Sequence, residues 1–108
     1  MPLIEHASIT PVLMLPGILR RIMTDGDKMM LCEIHMEEGA VVPMHTHPHE
    51  QTGYLVSGRV TFKIGEDEQN LAPGDCWMIP GDVPHEAIAL EASVLIDVFS
   101  PPREDIRP

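Results

Sequence analysis

Apolar positions recur along this chain in short runs rather than in one long periodic stretch. Residues 28–37 (KMMLCEIHME), 53–64 (GYLVSGRVTFKI), 75–79 (DCWMI) and 93–100 (SVLIDVFS) read as strands by length and alternation. Turn signals separate them at Asp25-Gly26-Asp27, Glu38-Gly39, Ser57-Gly58, Gly65-Glu66-Asp67, Pro73-Gly74 and Pro80-Gly81-Asp82. Turns this close together leave no room for a helical layer. The pattern predicts an all-β domain, and closing such strands into a barrel or jelly roll removes their exposed edges. No internal repeat or linker interrupts the pattern, and the proline-rich end from Pro101 reads as an extended tail or short turn.

Length sets the scale. A chain of 108 residues with 44% hydrophobic positions supports one core, so a single domain over residues 1–108 is expected. Seven Lys/Arg against seventeen Asp/Glu give a formal charge of −10, a field that repels phosphate backbones and anionic lipid. Nucleic-acid and membrane partners are not expected. A small anionic substrate would meet the same field, and its site would need local positive charge from a metal or an arginine.

Cys32 and Cys76 stand alone, without a CxxC or a cysteine framework, and read as reduced core residues. The apolar stretch PVLMLPGILRR (residues 11–21) does not fit a signal peptide: Glu5 precedes it, Pro11 and Pro16 break it, and its arginines are on the wrong side. A cytoplasmic protein is expected. That stretch has little core of its own to cover it, which predicts pairing with a second copy, a homodimer.

The candidate chemistry begins at PMHTHPHEQ, residues 43–51. On a strand, residues two apart project from one face, so His45 and His47 point together, and Gln51 joins them if the strand continues past Pro48. A further ligand must come from elsewhere, and His85, delivered one hairpin later in IPGDVPH, is the candidate. Three imidazoles and an amide oxygen suit one divalent transition metal with positions left open; nickel, zinc, iron, manganese and cobalt all accept such donors. His6 and His35 read as surface histidines. His49 has the same parity as His45 and His47, but Pro48 bends the path to it. It is placed in the second shell ahead of ligand, proton-transfer or surface roles.

With these residues in view, the sequence resembles the cupin superfamily, whose motifs are G(X)5HXH(X)3-4E(X)6G and G(X)5PXG(X)2H(X)3N. Residues 39–58 (GAVVPMHTHPHEQTGYLVSG) follow the first and residues 74–89 (GDCWMIPGDVPHEAIA) the second. The resemblance implies a single-domain cupin barrel. Three positions depart from it: Gln51 stands for the motif glutamate, Asp82 for a glycine and Ala89 for the asparagine. The last two concern turn and strand geometry. The first changes chemistry, because a neutral shell of three His and a Gln leaves the full charge on the metal and suits Lewis-acid or binding work better than redox cycling.

The last strand carries more. By alternation Leu95, Asp97 and Phe99 share a face, and a carboxylate in an apolar run is either a solvent contact on an edge strand or a functional group facing the cavity; its apolar neighbours favour the cavity. Arg103 follows two prolines and is either a solvated tail residue or a bidentate clamp for a substrate carboxylate. Together HTHPHEQ, LAPGDCWMIPGDVPH and DVFSPPRED resemble the small cupins of pectin and alginate catabolism, which open 4,5-unsaturated uronates to linear keto-sugars. That resemblance implies a metal on His45, His47, Gln51 and His85, a small-molecule uronate substrate, and Asp97, Phe99 and Arg103 lining the site, with Asp97 and Arg103 catalytic. Tyr54, in the first motif, is taken with Phe99 and Arg103 as a substrate contact. Two other functions compete: a metal-dependent dioxygenase-type cupin, and a cupin that binds a sugar or other small molecule without turning it over.

Overall fold

A computed structural model describes residues 2–108. They form ten strands: β1 (Val12–Leu15), β2 (Ile18–Asp25), β3 (Met30–Met36), β4 (Val41–His45), β5 (Glu50–Ser57), β6 (Val60–Ile64), β7 (Asp67–Leu71), β8 (Cys76–Ile79), β9 (His85–Ala89) and β10 (Ser93–Ser100). Short 3-10 turns lie at His6–Ser8 and Glu104–Ile106. A six-stranded sheet in the order β1-β2-β3-β10-β5-β8 faces a four-stranded sheet in the order β4-β9-β6-β7, and the pairings in both are antiparallel. This is the all-β architecture expected from the turn spacing.

The core lies between the sheets, and alternation supplies it. In β3 the inward set is Met30, Cys32, Ile34 and Met36, and in β10 it is Ser93, Leu95, Asp97 and Phe99. Leu55, Val60 and Ile79 complete the most deeply buried layer with Ile18, Met30 and Cys32. Asp97 thus takes an inward position among apolar residues, as the run around it suggested.

The run 53–64 is two strands, because Gly58 turns the chain at φ +93° and sends β6 into the other sheet. A side chain there would collide with Ser93, whose Oγ lies 2.1 Å from the place of a Cβ. Five strands had no clear period in the sequence. β7 (DEQNL) is a polar edge strand and β9 (HEAIA) is alanine-rich. β4 carries a proline. β1 and β2 form a hairpin inside the apolar N-terminal stretch, closed by Gly17 at φ +76°. Met14, Leu15 and Ile18 of that hairpin pack on the core, while Val12, Leu13 and Leu19 remain exposed.

Cys32 is buried as expected, but Cys76 is exposed: it opens the edge strand β8 on the outward parity, opposite to Trp77 and Ile79. Asp82, at the motif position of a glycine, has φ +66°, so that departure is confined to the turn. Its N–H donates to the carbonyl of His47 at 2.8 Å, which pins the turn before β9 to the histidine segment.

Candidate metal centre

The chain changes sheets in the middle of its histidine motif. His45 ends β4 in the four-stranded sheet, and Gln51 lies in β5 of the six-stranded one. His47 sits in the short connection between them, so the single continuous strand expected through Pro48 is not formed. His85 opens β9 directly opposite His45 in register. The three imidazoles converge all the same: their nearest nitrogens lie within 4.8 Å of one another, and the His45 and His85 ring centres are 4.2 Å apart.

Each ring is oriented by the backbone two residues away. His45 Nδ1 donates to the Pro43 carbonyl at 2.8 Å, His47 Nδ1 to the His49 carbonyl at 3.0 Å, and His85 Nδ1 to the Val83 carbonyl at 2.8 Å. A carbonyl only accepts, so each Nδ1 carries the proton and each Nε2 keeps its lone pair. Burial lowers the pKa of His85 to about 4, with the nearby positive charge of Arg103 acting in the same direction. Burial and then Arg103 also lower His47. Both shifts favour the neutral form of His85 and His47, the form that ligates a metal.

The donor set fits a cation on two further observations. His85 Nε2 is buried without a hydrogen-bond partner, a costly position for a lone pair. His47 Nε2 faces Gln51 Oε1 at 3.1 Å. That amide is not free to flip, because Gln51 Nε2 donates to Asp97 Oδ1 at 2.8 Å. Two acceptors are thus held face to face, an arrangement that a shared cation would make favourable.

Asp97 is held from a second side. Trp77 Nε1 donates to the same Oδ1 at 2.8 Å. Register explains the reach: Gly53 of β5 pairs with Asp97 of β10 on one flank and with Trp77 of β8 on the other. With no side chain at Gly53, the indole crosses the gap; a Cβ there would lie 2.2 Å from Trp77 Nε1. Phe62 stacks on the indole from the other sheet, with centroids 4.6 Å apart. Burial pushes the Asp97 pKa up to about 6, against the hydrogen bonds from Gln51 and Trp77 and the charge of Arg103.

Above this floor lies a cavity of about 60 Å³ lined in part by Arg20, Phe62, Phe99 and Arg103. The Arg103 guanidinium carbon lies 5.1 Å from the centre of the Phe99 ring. The tail after β10 folds back over the opening rather than extending into solvent, and Arg107 grips Asp25 of β2 through two contacts of 2.7 Å.

These observations place the chain among known proteins. The Cupin domain family model matches residues 32–99. The chain belongs to the cupin family. It is 37% identical over 91 residues to the pectin degradation protein KdgF of Dickeya dadantii (strain 3937), covering 82% of this chain and 83% of that protein. The solved structure of KdgF from Halomonas sp. superposes with a TM-score of 0.94 at 32% identity, over 99% of both chains. An RmlC-like cupin from Shewanella frigidimarina NCIMB 400 gives a TM-score of 0.92 at 28% identity, over 95% of this chain and 93% of that one.

Within the cupin frame, the glutamine in place of the motif glutamate has a local reason. A glutamate at 51 would present an oxygen where the amide nitrogen now meets the Asp97 carboxylate, setting two acceptors 2.8 Å apart. His49 contributes its carbonyl to His47, and its own ring lies beside the His47 ring with centroids 5.5 Å apart. Tyr54 does not line the cavity. Gln51, Gly53 and Leu55 take the inward parity of β5, so Tyr54 projects from the outer face and is 47% exposed. Trp77 and Arg20 were not foreseen in the sequence. Trp77 is signalled only by the cross-strand glycine, and Arg20 only by the parity of a strand hidden in an apolar stretch.

Proposed function

We propose that the protein is a metal-dependent enzyme of pectin degradation that opens 4,5-unsaturated uronates to linear keto-sugars. The observation that carries this reading is the Gln51–Asp97 pair: one carboxylate, buried and raised to about 6, is joined through Gln51 to a cluster of three convergent imidazoles. The likeness to the KdgF proteins supports the substrate class.

His45, His47, Gln51 and His85 would hold one divalent cation, which supplies Lewis-acid polarisation of a substrate oxygen. Asp97 Oδ1 accepts both hydrogen bonds from Gln51 and Trp77, so Oδ2 is the oxygen that exchanges a proton. The substrate is a cyclic hemiacetal with a C4=C5 enol ether. Asp97 takes the proton of the C1 hydroxyl, the C1–O5 bond breaks to leave an aldehyde at C1 and an enolate at O5, and the proton is returned at C4 to give the ketone. No atom is gained or lost. Phe99 walls the cavity, and Arg103 supplies positive charge for the carboxylate in an otherwise acidic protein.

A homodimer remains part of this reading, since Val12, Leu13 and Leu19 leave an apolar strip on the N-terminal hairpin. No helix among the described residues is long and apolar enough to cross a membrane.

The test follows the ultraviolet absorbance of the C4=C5 bond in galacturonate- and mannuronate-derived substrates. The wild type should exceed the uncatalysed loss, and Asp97→Asn should lower kcat by about a hundredfold. A wild-type rate no faster than the uncatalysed one defeats the proposal. Oxygen uptake coupled to substrate loss would favour a dioxygenase, and ligand-induced stabilisation without turnover a binding protein.

A further inference from the structure

Arg20 is the cation that the site has not yet used. It lies in β2 on the same parity as Ile18 and Ile22, the face turned toward the core, and pairs with Ile34 of β3 and Val12 of β1. It lines the cavity above Gln51 and Asp97 and also a side recess shared with His45, Arg103 and Ile106. Its neighbours in sequence and in the site are engaged. Arg21 contacts Glu33 and the Ile9 carbonyl, Arg107 grips Asp25, and Arg103 is bound to Asp105 through Nε at 3.3 Å and a terminal nitrogen at 2.6 Å. Arg20 makes no ion pair and no side-chain hydrogen bond among the described residues. Glu86, the other acid beside the cavity with Asp97, alternates away from the core between inward His85 and Ala87.

A guanidinium on an inner wall with no carboxylate of its own calls for an anion from outside. Arg103 is poorly placed to meet that need alone, because the edge that would grip a carboxylate in two-point fashion is occupied by Asp105 and one face is given to Phe99. We propose that Arg20 is a substrate-binding residue that receives the sugar carboxylate as a bidentate partner, with Arg103 beside it as the second positive charge. The proposal rests on the uronate reading above and names the residue that makes the site select an acid sugar over its neutral counterpart.

Saturated sugars separate this assignment from the reaction. D-Galacturonate and D-galactose differ in the carboxylate and carry no C4=C5 bond to react. Calorimetric titration of the metal-loaded wild type should show galacturonate preferred by about tenfold or more. Arg20→Met should abolish that preference by weakening galacturonate while leaving galactose unchanged, and Arg20→Lys should recover part of it. On unsaturated uronate, Arg20→Met should raise KM about tenfold or more with kcat within about threefold. Melting temperature and metal content report whether Arg20→Met keeps the fold, and Arg20→Gln replaces it if not. A wild type without acid preference, or variants that keep both the preference and the KM, overturns the assignment and leaves the ring-opening reading standing. An Arg20-dependent preference in a wild type that turns over no unsaturated uronate upholds the assignment while the reaction fails.

Discussion

Among the described residues, two clusters bring a carboxylate or amide together with histidines, and they are built in opposite ways. In the inner one, His45, His47 and His85 spend their Nδ1 protons on backbone carbonyls and aim bare Nε2 atoms at a common point. In the outer one, His6 Nε2 and His35 Nε2 both lie 2.7 Å from a single oxygen, Glu33 Oε1, and Arg21 approaches the same oxygen at 3.4 Å. The outer residues satisfy one another. His6 and His35, read from the sequence as surface histidines, tie the N-terminal segment to the outer face of β3 and are open to water. Proximity of donors is common to both clusters. What differs is the direction of the unspent lone pairs, and the arginine beside Glu33 already supplies the charge that a cation would bring.

The largest expected effect separates the two directly. His45→Ala/His47→Ala should reduce metal affinity by at least about a hundredfold, whereas His6→Ala/His35→Ala should leave one metal per chain, as elemental analysis and chelator competition would show. Metal retained by the inner double variant, or lost by the outer one, breaks the comparison. Next in size is the seat of the tryptophan. Gly53→Ala forces a Cβ into the Trp77 indole and should cost about 2–3 kcal/mol in urea unfolding.

Acid sharpens the contrast further, and it is read in chelator-treated protein. The folded state holds His85 and His47 below their usual 6.5, so their contribution is lost as pH falls below that value, for His85 down to about 4. Asp97 runs the other way: with its folded pKa raised from 3.8 to about 6, its contribution is lost as pH rises through that interval. The two oppose each other between pH 4 and 6. Urea midpoints of Asp97→Asn should therefore fall more steeply on acidification than those of wild type, and His85→Gln midpoints less steeply. Parallel profiles for all three would contradict the assignment. At Glu33, burial pushes the pKa up, but hydrogen bonds from His6 and His35 hold it below the usual 4.5, so its share is lost only at lower pH. Smallest of all, Glu33→Gln should cost less than about 1 kcal/mol at pH 7 and leave metal content and turnover unchanged.

The sequence made the inner cluster legible because backbone geometry repeats: histidines at alternate positions, glycines at turns and a second histidine after a proline turn are local features. Asp97 was legible for a different reason, as a charge that an apolar strand does not carry without purpose. What stayed hidden depends on pairing across strands. Gln51 was placed by assuming one strand through Pro48; it reaches the cluster from the opposite sheet, a relation no local period encodes. Tyr54 was drawn in by its place within the motif, although its parity is opposite to that of Gln51. Trp77 depends on Gly53 and Asp97 standing in one row, and Arg20 on a hairpin whose apolar residues mask its alternation.

The hydrogen bond between Gln51 and Asp97 means that these positions, 46 residues apart in the chain, form one unit of design. An engineer who restores the glutamate of the family motif at 51 to recruit redox chemistry would not be editing a proposed metal ligand alone. Gln51→Glu would set carboxylate against carboxylate, and the repulsion would be relieved by a proton shared between the two or by giving position 97 an amide donor, as in Gln51→Glu/Asp97→Asn. The double exchange would move the acid from behind the cluster into it, removing the proposed proton carrier in the same step that adds charge to the proposed ligand set. Charge at position 51 and the proton at position 97 are therefore set together rather than one at a time.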